Sequence, residues 1–164
     1  MKINCKWTAF CCLVAIATLS SCSSSNHSSG KGFVAVMKPK ESIQGVCDNS
    51  YIIAIVPFAG NNQIDAKAPK SKEEITKEVN AKITFLRDKP DYNDKGMVNL
   101  IVNCRGELVQ CEIDNKTKSP ELDTQIVAVF AEMKSWTPGT VNNQAVDTSV
   151  LYSFTIKSGK FILN

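Results

Sequence analysis

Apolar positions change their spacing along this chain, and the changes mark its elements. From Met97 the period is two. Leu100, Val102 and Cys104 alternate with Ile101 and Asn103, and Val109, Cys111 and Ile113 alternate with Leu108, Gln110 and Glu112. This pattern predicts two half-buried strands, with Arg105-Gly106 as a hairpin turn in which the glycine supplies the positive φ. The spacing then turns helical within the amphipathic run 120–136. Leu122, Ile126, Val129, Phe130 and Met133 fall on one stripe, Ser119 stands as N-cap, and Pro120 takes the first helical position. Glu121 and Asp123 complement the helix dipole, Lys134 sits in the expected last turn, and Pro138-Gly139 ends the helix. Residues 141–147 show no period and predict a loop. Val150, Tyr152, Phe154 and Ile156 restore alternation for a last strand, a turn follows at 157–160, and 161–163 predict a short terminal strand.

Ahead of this pattern, residues 33–37 and 51–58 are short apolar, β-branched runs that read as strands, with Cys47 just before the second. Residues 61–70 read as loop. Ser71 and Glu74 match a capping box, and Ile75, Val79 and Ile83 follow at helical spacing, predicting a helix over 72–82. Residues 87–95 carry Pro90, Asn93 and three aspartates and predict a connecting loop. The fold class is α+β: a small antiparallel sheet with one main helix packed on it, in the order ββαβ, preceded by a short strand and helix lead-in.

Composition changes the picture at the N-terminus. Lys2 and Lys6 precede an apolar run over 7–19, too short for a permanent span. The run ends in Leu19-Ser20-Ser21-Cys22, which looks like a bacterial lipobox. The expected organisation is a lipoprotein signal peptide over 1–21, a Ser-rich flexible tether over 22–32, a lead-in over 33–95 and the main domain over 96–164. Cys22 is the expected lipid-attachment residue, and a diacylglycerol plus an N-acyl chain would anchor the protein stably. The expected location is the Gram-negative cell envelope, at the outer membrane and facing the periplasm. Loss of the signal lowers the formal charge from +3 to +1, which gives no electrostatic case for a nucleic-acid partner.

Seven cysteines thin out under this reading. Three leave with the signal and Cys22 is lipidated, so Cys47, Cys104 and Cys111 remain in an oxidising compartment. The hairpin register pairs Cys104 with Glu107 and Cys111 with Leu100, separating the two cysteines by roughly 13 Å at strand rise. That exceeds disulfide reach. Cys47 is therefore expected to supply the partner, foremost with Cys111.

Catalytic chemistry is sparse. The one histidine, His27, lies in the tether, so neither a Ser/His or Cys/His pair nor a zinc site is expected. Glu112 and Asp114 read as a solvent face rather than an acid/base pair. Asp91 and Asp94 lack an EF-hand's repeated ligands. Trp136 reads as an aromatic closing the core. The expectation is no enzyme, no cofactor and no metal.

Residues 96–156 resemble the C-terminal domain of TonB-type energy transducers. The likeness is carried by Gly96-Met97-Val98 opening the first strand, Gly106 in the hairpin and Glu121-Leu122-Asp123 opening the helix. Trp136-Thr137-Pro138 at its end and Tyr152 with Phe154 in the last strand complete it. The resemblance implies a domain that binds a short extended segment of an outer-membrane transporter by strand addition. On that basis the segment 149–156 is the candidate edge, with Ser149, Leu151, Ser153 and Thr155 as partner-contacting residues. A lipid-anchored start in place of a transmembrane helix, and six dispersed prolines in place of a Pro-rich spacer, depart from the transducers. The resemblance therefore implies fold and binding, not energy coupling. The expected function is an envelope lipoprotein with a non-catalytic TonB-C-terminal-like module that binds an envelope protein or transporter segment. The alternative is a structural or self-associating envelope lipoprotein whose strand at 161–163 covers that edge.

Overall fold

A computed structural model describes residues 34–55 and 62–164. Cys22, the signal, the tether and the end of the second expected strand lie outside the described residues. Along the chain come β1 (Val34–Met37), β2 (Ile52–Ile55), β3 (Gln63–Ile64), α1 (Lys72–Lys82), β4 (Asp94–Val102) and β5 (Leu108–Asn115). Then follow α2 (Pro120–Ala131), β6 (Gly139–Val141), β7 (Gln144–Val146), β8 (Thr148–Lys157) and β9 (Lys160–Leu163). The class is mixed α+β.

The larger sheet runs β1-β2-β8-β4-β5, with β9 paired to β8 beside β2. All its pairings are antiparallel except β2 with β8. A three-stranded sheet, β3-β6-β7, stands beside it. Both helices cover one face of the larger sheet. Val98, Leu100 and Val102 of β4 and Val150, Phe154 and Ile156 of β8 meet Leu122, Ile126 and Phe130 of α2 and Ile75 and Val79 of α1 in one core. The lead-in is thus built into that core and sheet.

Local chemistry explains the helices. Ser71 accepts from the Glu74 N–H while the Glu74 carboxylate accepts from the Ser71 N–H, the reciprocal capping box read from the sequence. Ser119 accepts from the Leu122 N–H, and Pro120 begins α2. This helix stops at Ala131, earlier than the apolar run predicts. Met133 and Trp136 remain buried because the chain leaves the helix inward, with Ser135 at φ 63°.

Three other expectations change. The β4–β5 turn is a three-residue loop, not two. Asn103 N–H bonds Glu107 O at 2.9 Å, Gly106 N–H bonds Asn103 O at 2.9 Å, and Gly106 sits at φ 78°. The expected register holds from Val98↔Ile113 to Ile101↔Gln110, then slips by one at Val102↔Leu108. The segment read as loop forms the β6–β7 hairpin, turning on Asn142 and Asn143 at φ 51° and 64°. Asparagine tolerates that left-handed pair, although the stronger Asn-Gly signal is absent.

Candidate functional site

The candidate partner-binding strand is interior. One side of β8 pairs with β4 along its length, from Asp94↔Ile156 to Val102↔Thr148. On the other side, β2 takes Thr148 and Ser149, β9 takes Phe154 to Lys157, and Asn164 N–H bonds Ser153 O at 3.0 Å. Ser149, Ser153 and Thr155 therefore have their backbone edge occupied. Leu151 stands in the short interval between β2 and β9, its side chain 50% exposed. This overturns the segment 149–156 as a free edge. The physical reason is the terminal strand: Ser158 and Gly159 form a tight turn at φ 50° and 69° that folds β9 back onto β8.

The outer side of β9 is closed too. Asn80 of α1 accepts from Phe161 N–H at 2.9 Å and donates to Phe161 O at 2.8 Å, and Thr76 Oγ1 accepts from Leu163 N–H at 3.2 Å. Side chains of a helix thus satisfy a strand edge that would otherwise recruit another chain.

Among the described residues no such cap lies on β5, which ends the larger sheet on the side opposite β1. Alternate residues of an antiparallel strand direct their backbone groups to opposite sides. Ser153 O points away from β4, so Met97, opposite it, points its own groups toward β5, and Asn99 and Ile101 follow. Their partners Glu112 and Gln110 then bond to β4, and the N–H and C=O of Cys111 and Ile113 face the open side. The side chains of Leu108, Cys111 and Ile113 are half-buried against the core, leaving an apolar shelf beside α2. Glu112 and Asp114 are exposed on this strand.

A groove of about 750 Å³ adjoins the same strand on the sheet face away from the helices. The segment 37–44 forms its outer wall; Asn99, Ile101, Val109, Gln110 and Glu112 form its floor. The far end of that wall is fastened by a polar hub that the sequence reading missed. Asp147, 4% exposed at the corner where the chain passes from β7 to β8, accepts from Cys47 N–H, Asp48 N–H and Cys104 N–H at 2.8–3.0 Å. Fully buried Asn103 accepts from Arg105 N–H and Glu107 N–H, both at 2.9 Å, and donates to Gly45 O at 2.8 Å. A single aspartate at a strand start and an asparagine in an alternating run carry no pattern that announces either role.

Around this hub lies the disulfide. It joins Cys47 to Cys104, with Cα atoms 6.1 Å apart, rather than Cys47 to Cys111. Cys104 is not a core-facing strand residue but the first residue of the hairpin loop, turned toward the segment that carries Cys47. Cys111 is free and points to α2, its Sγ 3.7 Å from Val127 O. Burial, reinforced by Glu112, pushes its thiol up to about 12. Both bridged sulfurs and an Asp147 oxygen lie within 4.8 Å of one another. With the sulfurs bonded together and the carboxylate facing three N–H groups, this is a hydrogen-bond hub.

The other titratable candidates have structural partners. Asp94 accepts from Tyr92 Oη at 2.8 Å and from Lys118 N–H at 2.8 Å. Burial would raise its carboxyl, but these hydrogen bonds and that from Lys95 outweigh it and hold the group below the ordinary value. Trp136, 4% exposed, donates its indole N–H to Met133 O at 3.3 Å and closes the core. Among the described residues no helix is long and apolar enough to cross a membrane. Comparison with protein-family models, curated proteins and solved structures finds no match.

Proposed function

We propose that this chain is a lipid-anchored envelope protein whose α+β domain binds another polypeptide by adding it as a strand to the open edge of β5. The supporting observation is the contrast between edges: β8 is paired on both sides, β9 is capped by Asn80 and Thr76, and β5 offers the backbone groups of Cys111 and Ile113. A partner strand there completes the hydrogen bonding and covers the Leu108–Cys111–Ile113 shelf. The order β4, β5, α2, β8, interrupted by the β6–β7 hairpin before β8, is what the ββαβ likeness to TonB-type C-terminal domains rests on. The expected partner is an envelope protein or a transporter segment, and the module acts by binding rather than by catalysis.

The test is crosslinking in intact cells from a photoreactive residue at Glu112, with the same residue at Ser153 as comparison. A discrete envelope protein captured from Glu112 and not from Ser153 supports the reading. Equal capture from both positions refutes the β5 edge as the site. A second reading, a structural or self-associating lipoprotein, is favoured by the observed pairing of β9 with β8, the feature expected of a covered edge. Crosslinks only between copies of this chain would select it.

A further inference from the structure

We propose that the Cys47–Cys104 disulfide is exchangeable: a site of two-electron thiol–disulfide exchange with an exposed cysteine pair on another envelope polypeptide. The inference stands apart from the binding reading and rests on how the two sulfurs are surrounded.

Access is unequal. Cys47 is exposed and Cys104 half-buried, so an incoming thiolate meets the Cys47 sulfur. Charge is unequal as well. The Arg105 guanidinium is held over Cys47, with Nη1 3.5 Å from its Sγ and Nη2 donating to Gly45 O at 3.0 Å. Glu107 shares that guanidinium at 2.9 Å, and the exposed Asp48 lies next in the chain, so the positive field is partly offset. A cation at this distance still stabilises a Cys47 thiolate. Asp147 does not separate the two, since its carboxylate lies within 4.8 Å of both sulfurs; the guanidinium contact to Cys47 does. The opened pair therefore carries its negative charge on the accessible sulfur and its proton on the sheltered one. That division suits exchange, because the outer thiolate is both the better nucleophile at neutral pH and the better leaving group.

Apposition does not depend on the bond. The Asp147 carboxylate grips the N–H groups of Cys47 and Cys104 together, so the two residues stay neighbours when the sulfurs separate. Reclosure is then intramolecular.

A partner thiolate bonds to Cys47 Sγ, the Cys47–Cys104 bond breaks, and Cys104 leaves with the electron pair and takes a proton from solvent. The partner's second thiol loses its proton, attacks the partner's first sulfur and expels Cys47 as a thiolate beside Arg105. The partner dithiol is oxidised to a disulfide and this chain is reduced by two electrons. Run backwards, the same path reduces a partner disulfide.

Two measurements on the full-length protein test this. The purified chain is equilibrated in mixtures of reduced and oxidised glutathione, quenched in acid, alkylated and weighed, for the natural sequence and for Arg105→Gln. Natural chain that interconverts while folded, with Arg105→Gln shifted about fivefold toward the disulfide, supports the proposal, because the cation that favours the Cys47 thiolate is gone. A disulfide that stays closed at every ratio until urea is added, or an Arg105→Gln equilibrium like that of the natural chain, overturns it. In cells, Cys104→Ser leaves Cys47 unable to reclose. Reductant-sensitive adducts on Cys104→Ser, absent when Cys47 is also serine, support exchange with a protein; a Cys104→Ser chain that accumulates folded and without adducts refutes it. Arg105→Gln keeps both cysteines, so the first measurement stands even if Cys104→Ser fails to fold.

Discussion

Asp147→Ala should be among the most destabilising single changes outside the apolar core, and its size follows from the hub. The carboxylate receives three backbone N–H groups at 2.8–3.0 Å while only 4% exposed. A hydrogen bond to a charged group contributes about 1.5–3 kcal/mol, which would place three of them above 4 kcal/mol if they simply added. They do not add. Cys47 and Asp48 are exposed, so water replaces the carboxylate at two donors, and removing a buried charge returns part of its desolvation cost. The net loss should be about 3 kcal/mol, roughly a 10 °C fall in Tm for a domain of this size. Urea unfolding followed by circular dichroism measures it, with the midpoint lowered and the slope unchanged. Asp147→Asn should cost nearly as much, because one acceptor is replaced by an NH₂ that faces backbone donors. Since the disulfide fastens the same segments, the loss should grow when the protein is reduced. A loss below about 0.5 kcal/mol, the range of an ordinary surface change, would show that Asp147 does not hold these segments together.

Further outcomes follow from other positions. Gly106→Ala should destabilise by about 2–3 kcal/mol, because the site has φ 78° and an added Cβ would strike Trp136 O; urea unfolding reads it, and a neutral result would mean the turn relaxes away from Trp136. Phe130→Ala should cost about 3–5 kcal/mol, since the ring is fully buried between α2 and Tyr152, and calorimetry checks it. Folded protein at pH 8 should leave Cys111 unalkylated by iodoacetamide until urea is added, its thiol being pushed up to about 12 by burial and then by Glu112. The Cys111 group gains its charge later in the folded state than in the unfolded one, so its stabilising share is intact below about 9 and is lost as pH rises toward about 12. Tyr92, also raised to about 12 by burial and its bond to Asp94, acts in the same direction. An alkaline unfolding curve should therefore begin above pH 9, and Cys111→Ala should flatten it. Deleting 160–164 should expose the side of β8 now held by β9 and increase association in analytical ultracentrifugation, while an unchanged monomer would show that β9 does not guard that edge.

Much of the fold was legible because its causes are local. The Ser71–Glu74 box and the Ser119-Pro120 start each consist of neighbouring residues satisfying neighbouring backbone groups, so residue type and spacing suffice. The alternations of 97–113 and 150–156 picked out Leu100, Val102, Phe154 and Ile156, which are in the core, but set Ile101 and Asn103 on the other face, and both are buried there. What failed depended on contacts distant in sequence. The end of α2 at Ala131 is set by tertiary packing of Met133 and Trp136, which stay buried without being helical. The one-residue slip at Val102 comes from Gly106 adopting a three-residue loop, and it carries Cys104 off the strand and into reach of Cys47.

The candidate site failed for a deeper reason. A period of two states which side chains share a face, and Ser149, Leu151, Ser153 and Thr155 do alternate with the core residues of β8 as expected. It is silent on which strands lie to either side, because any backbone can pair with any other. Edge status is therefore decided by topology: by β9 folding back on a two-residue turn, by β2 joining β8 in parallel, and by Asn80 and Thr76 closing β9 from a helix 81 and 87 residues earlier. Each of these removes an edge, and together they leave the two terminal strands of the sheet, β1 beside β2 and β5 beside β4. The same topology gathers Cys47, Asp147 and Cys104, from segments 57 and 100 residues apart, at the end of the hairpin that begins β5. Partner recognition and thiol exchange would thus lie at opposite sides of one strand-and-groove unit. That placement yields a sharp outcome: occupancy of the β5 edge should slow alkylation of a reduced Cys47 only if the partner extends beyond Leu108 to the hairpin loop.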